Sequence, residues 1–80
     1  MIKTLKEKFK TADFYLTCYL VSVGEKIEDT EKIGSKILFL FDNSEELKTK
    51  KEDYYLDQAK ISPLVYQSTI MNLKSMVHNI

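Results

Sequence analysis

The chain predicts a small α+β domain, a β-hairpin packed with three helices in the order α-β-β-α-α. Three observations carry this expectation. Ser62-Pro63 reads as a helix cap and first helical position, and Tyr66, Ile70, Leu73, Val77 and Ile80 then recur at steps of four and three on one face. A six-residue run, Lys36-Ile37-Leu38-Phe39-Leu40-Phe41, has clear β-character and follows a glycine-bearing turn. Further upstream, a broad apolar helix is bracketed by Thr11 and Gly24.

Residues 1–10 carry Lys3, Lys6, Lys8 and Lys10 against one acid, Glu7, and read as a lead-in that could be an arm, a helical turn or an extended segment. The first helix is expected over 12–23, with Thr11 as N-cap, Asp13 placing negative charge in the first turn and Gly24 ending it in a left-handed cap. Leu16, Tyr19, Leu20 and Val23 form its stripe, flanked by Phe14, Cys18 and Val21, which marks the central element of a small core. Tyr15, Thr17, Cys18, Tyr19, Val21 and Val23 are weak helix formers, so tertiary packing must hold it, and a strand is the competing reading.

A polar first strand is expected over 26–32, the turn at Ile33-Gly34-Ser35, and the second strand over 36–41. Ile37, Phe39 and Phe41 alternate to one face, Leu38 and Leu40 to the other. An apolar residue set on both faces is unusual for half of a hairpin. It requires cover on both sides, or a partner. Asn43 or Ser44 caps the next helix, Glu45 and Glu46 favour its N-terminus, and Asn43 with Glu46 has capping-box spacing. Leu47, Tyr54 and Leu56 are its apolar contacts. Residues 57–61 read as a connection to the Ser62-Pro63 helix.

Eighty residues make one domain, of which folding hides roughly 60–65% of the extended chain's surface, so the core is thin. The division expected is a basic arm over 1–8 and a single domain over 9–80. A hydrophobic fraction of 44% and a charged fraction of 30% suit a soluble globular domain rather than a disordered tail. Cys18 is the sole cysteine, so no intramolecular disulfide can form and a reducing, cytoplasmic setting is expected. The longest unbroken apolar run, Ile37 to Phe41, is far too short to span a membrane, and no signal-peptide pattern opens the chain. Twelve cations balance twelve acids and every cation is a lysine, so there is neither a global field for nucleic acid nor a guanidinium fork for base edges or phosphates.

Two sets of residues, Phe9-Lys10-Thr11-x-Asp13-x-Tyr15-Leu16-x-x-Tyr19-Leu20-x-x-x-Gly24 and Phe39-x-Phe41-x-x-Ser44-x-Glu46-Leu47, stand in an order and spacing that resemble a known small-protein family. Tyr54-Tyr55, Ala59-x-Ile61-x-Pro63 and Leu73-Lys74 extend the resemblance across about residues 9–80. The family is catalogued as a domain of unknown function of bacteria and archaea. The resemblance implies a compact α-β-β-α-α domain and an origin in phage or other mobile elements. It carries over no catalytic residue.

Chemistry finds little footing in the sequence. His78, the one histidine, is two residues from the end of the sequence with no Cys or second His nearby. Cys18 falls among apolar residues, where a thiol is inert. Glu25, Glu28, Asp29 and Glu31, and Asp42, Glu45 and Glu46, form acidic clusters without the spacing or central glycine of a calcium loop. Gly24 and Gly34 are the only glycines, so no phosphate loop can form. No enzyme activity, metal or cofactor is expected. The expected function is a non-enzymatic protein-interaction module, homodimeric, of phage or mobile-element origin, with Leu38, Leu40, Met71, Met76 and Ile80 as interface candidates. Ile70 belongs instead to the monomer's own core. The alternative is an accessory nucleic-acid-binding protein using Lys3, Lys6, Lys8 and Lys10, with Lys48, Lys50 and Lys51 and stacking from Tyr54 or Tyr55.

Overall fold

A computed structural model describes residues 8–79 and shows three helices with a three-stranded antiparallel sheet. In chain order these are β1 (Lys8–Thr11), α1 (Phe14–Ser22), β2 (Asp29–Ile33), β3 (Lys36–Asp42), α2 (Glu45–Tyr55) and α3 (Pro63–His78). The α+β class, the hairpin and the three helices are those the sequence predicts. The strand β1 is additional, so the order is β-α-β-β-α-α. It takes Lys8 out of the expected basic arm and Thr11 out of its expected capping role.

The extra strand pairs the second edge of β3. The sheet order is β1-β3-β2, with Phe9 opposite Phe41 and Thr11 opposite Phe39 on one side of β3, and Thr30 opposite Phe39 and Lys32 opposite Ile37 on the other. The most apolar strand therefore occupies the centre, and both its edges are paired. Phe9, Ile37, Phe39 and Phe41 face the helices, and the Phe9 and Phe41 rings lie 6.4 Å apart.

Asp13, not Thr11, caps α1: its carboxylate accepts a hydrogen bond from the Leu16 N–H at 3.1 Å. Thr11 acts one step earlier, its hydroxyl accepting from the Asp13 N–H at 3.0 Å. At the other end Glu25 N–H donates to the Leu20 carbonyl and Gly24 N–H to that of Val21, the paired bonds of a Schellman motif. That geometry requires the left-handed backbone seen at Gly24, φ +103°. Ser44, rather than Asn43, caps α2 through the Leu47 N–H at 3.0 Å, with Glu45 and Glu46 in the first turn. Helix α2 ends in a second Schellman motif, Gln58 N–H to the Asp53 carbonyl and Asp57 N–H to that of Tyr54, and here Asp57 holds φ +58°. Ser62 and Pro63 open α3 as expected, although the Ser62 hydroxyl makes no capping bond. Strand β2 is shorter than the sequence suggested, beginning at Asp29; before it, Glu28 N–H still bonds the Leu40 carbonyl.

Helix α1 packs against both α2 and α3. It contributes Leu16, Cys18, Tyr19 and Leu20 to a core completed by Phe39, Phe41, Leu47 and Leu73. Thr17 is fully buried among them, which is tolerated because its hydroxyl donates to the Asp13 carbonyl at 2.9 Å. Tyr66, Ile70 and Val77 close the core from α3, so the periodicity read from the sequence is the packed face. The Tyr66 hydroxyl also donates to the Tyr15 carbonyl at 3.1 Å. Burial holds the Tyr54 and Tyr66 phenols above their usual range.

Candidate interaction surfaces

Three surfaces of the described residues carry apolar side chains that the core does not absorb. The first is the outer side of α3. At 100° per residue, Tyr66, Ile70, Leu73 and Val77 occupy one arc, and Leu64 and Met71, seven residues apart, lie opposite it. Leu64 is 74% exposed and Met71 64% exposed; Val65 and Met76 are exposed as well, but about 100° or more round the helix from them. Between and beyond Leu64 and Met71 come Ser68 and Ser75, also exposed, so large and small residues alternate along the stripe. Lys74 is the one lysine on a helix that carries no Asp or Glu, and His78 lies in its last turn. Of the residues singled out on this helix, Met71 lies on this stripe, Met76 is exposed on another side of the helix, and Ile80 lies outside the described residues. Leu64 and Val65 were missed. Their signal was available: Leu64 and Met71 share the heptad spacing of a second seam on the far side of the wheel.

The second surface is the outer face of the sheet, where Leu38 and Leu40 are half-buried. Lys8 and Lys10 flank them from β1, and Glu28 and Glu31 from the β2 side. Lys10 reaches Glu31 at 3.1 Å and Lys8 pairs with Glu28, so both pairs join residues on opposite sides of β3. The lysine stems thereby cover part of the leucines while their heads stay in water. The hydrogen bond it donates to Glu28 keeps the Lys8 ammonium above its ordinary pKa. Lys8 and Lys10 thus have carboxylate partners within the chain. Lys3 and Lys6 lie outside the described residues.

The third surface is a cavity of ≈ 500 Å³ between β1 and α2, lined by Phe9, Lys48, Lys51, Glu52, Tyr55 and Leu56. The Lys51 ammonium stands 3.8 Å from the centre of the Phe9 ring, a cation–π arrangement. Tyr55 meets Tyr54 edge to face, and Tyr54 in turn packs on Tyr19, so the exposed ring is anchored to the core. Lys50, one position from Lys51, points elsewhere: it donates to the Val23 carbonyl at 3.0 Å and to Glu25 at 2.8 Å, tying α2 to the end of α1.

The reactive side chains are scattered. Cys18 is fully buried, and burial pushes its thiol up to about 11, which keeps it protonated at neutral pH. His78 is exposed in the last turn of α3. No group of three or more His, Cys, Asp or Glu among the described residues is arranged to hold a metal ion. No helix among them is long and apolar enough to cross a membrane. No curated protein and no solved structure matches the chain. A family does, over residues 6–79: the capped helices, the central apolar strand and the Pro63 helix described above fall within that match, and the chain belongs to the domain-of-unknown-function family DUF5659.

Proposed function

We propose that the chain is a non-enzymatic protein-interaction module that pairs with a second copy of itself through the outer face of α3. The observation that supports this reading is the exposure of Leu64 and Met71 on a helix whose opposite face already fills the core. Water contact with that apolar stripe is unfavourable, at about 25 cal/mol per Å². With scarcely any formal charge on the helix, a second copy meets little like-charge repulsion. Ser68 and Ser75 leave room for close approach between the Leu64 and Met71 positions. A seam of sixteen residues is about 24 Å long and makes a small interface, so self-association in the range of about 1–100 μM is expected. Leu38 and Leu40 suit the role less well, because ion pairs already cover them in part.

Sedimentation velocity over a concentration series tests the proposal. The wild type is expected to shift from monomer to dimer, and the double variant Leu64→Glu/Met71→Glu to remain a monomer with an unchanged circular dichroism spectrum. Leu40→Glu, on the sheet, is expected to keep the wild-type concentration dependence. A wild type that stays monomeric at millimolar concentration, or a dimer undisturbed by the double variant, overturns the proposal.

A further inference from the structure

The cavity beside β1 has features that self-pairing through α3 does not use. We propose that it receives an extended segment of a partner protein, rich in alternating acidic and apolar residues, added as a fourth strand along β1. Among the described residues β1 pairs with β3 alone, so its other edge faces no strand. An open edge is a template for an incoming strand, whose main chain supplies affinity and whose alternate side chains supply specificity. Beside this edge lies an apolar floor of Phe9, Tyr55 and Leu56. Tyr55 and Leu56 are 64% and 63% exposed, and the cavity's volume of ≈ 500 Å³ is of the size that binds a few side chains.

Charge selects the occupant. The edge itself reads Lys8-Phe9-Lys10-Thr11, its lysines paired with Glu28 and Glu31, and α2 adds Lys48, paired with Glu45, and Lys51 against a single lining carboxylate, Glu52. Lys51 sits on the Phe9 ring and has no carboxylate partner among the described residues. A second copy of β1 laid along this edge would set lysine against lysine, which is destabilising for directly opposed residues. An acidic strand meets complementary charge instead. A nucleic-acid backbone is less well matched, because Glu52 lines the cavity itself and the open edge of β1 offers main-chain groups that another strand can pair.

The test is a nuclear magnetic resonance titration of the full chain with three probes: a capped hexapeptide alternating glutamate and valine, its lysine counterpart, and a twelve-residue oligothymidylate. The acidic peptide is expected to give saturable amide shifts confined to Lys8–Thr11 and residues 48–56, with slower amide exchange in β1. Lys51→Glu is expected to weaken it about tenfold, and Tyr55→Ser, a change at an exposed side chain, to weaken it as well. Added salt is expected to lower the affinity in parallel. The proposal is overturned by an absence of saturable shifts at millimolar peptide, by shifts centred elsewhere, by equal affinity for the lysine peptide, or by tighter binding of the oligothymidylate.

Discussion

Replacing Lys50 by methionine isolates the contact that ties α2 to the end of α1. The Lys50 ammonium lies 2.8 Å from Glu25 and 3.0 Å from the Val23 carbonyl, and the two side chains are 27% and 16% exposed. A hydrogen bond from a charged donor contributes about 1.5–3 kcal/mol, and a cation at a helix C-terminus adds about 0.3–1 kcal/mol. Methionine retains the packing of the stem, and water can reach part of the vacated site. A net loss of about 2 kcal/mol follows, which for a domain of this size lowers Tm by about 8–16 °C. Lys48→Met is the control, because its partner Glu45 is 90% exposed and such pairs contribute at most about 0.5 kcal/mol. Urea denaturation of Lys50→Met, Glu25→Gln and the double variant measures the coupling, expected to be at least about 1 kcal/mol. Equal stability of Lys50→Met and Lys48→Met, or strict additivity of the Lys50 and Glu25 changes, would refute the reasoning.

Other consequences are equally direct. Phe41→Ala removes a fully buried ring from the central strand and is expected to cost about 3–5 kcal/mol, enough to unfold most of the population at 37 °C, as read by circular dichroism. Asp57→Gly is expected to stabilise the chain by about 0.5–1 kcal/mol, because Asp57 occupies a left-handed position that glycine adopts without strain; an unchanged urea midpoint would contradict the assignment. For Cys18, the thiol held at about 11 in the fold ionises near 9.0 once unfolded. The unfolded chain therefore releases its proton first, and this group lowers stability as pH rises from about 9 to about 11. A Cys18→Ala variant is expected to show a shallower loss of Tm across that window, and alkylation of the wild-type thiol at pH 7.5 is expected to occur only at the rate of unfolding.

Features set by neighbouring residues were legible in the sequence. Gly24 ends α1, Gly34 turns the hairpin at φ +61°, and Pro63 opens α3, because each follows from the local demands of one backbone position. The core face of α3 was legible for the same reason, through its period. Strand β1 was not. Four residues of alternating character are too few to distinguish a strand from a lead-in, and what makes them one is pairing with β3, some thirty positions away. Thr11 and Asp13 are both good caps two positions apart, and the pairing of Thr11 with Phe39 leaves the capping position to Asp13. The candidate surfaces were harder still. Phe9, Tyr55 and Leu56 come together only through the placement of α2 beside β1, and the ion pairs over Leu38 and Leu40 exist only because β1 and β2 flank β3.

In the proposed dimer two copies meet across the outer face of α3. Isotope-filtered nuclear Overhauser spectra on an equimolar mixture of labelled and unlabelled chains measure this contact directly. Intermolecular cross-peaks are expected from the methyl groups of Leu64 and Met71, and none from Leu38 or Leu40. Cross-peaks arising instead from the sheet leucines, or none at concentrations up to about 1 mM, would contradict it.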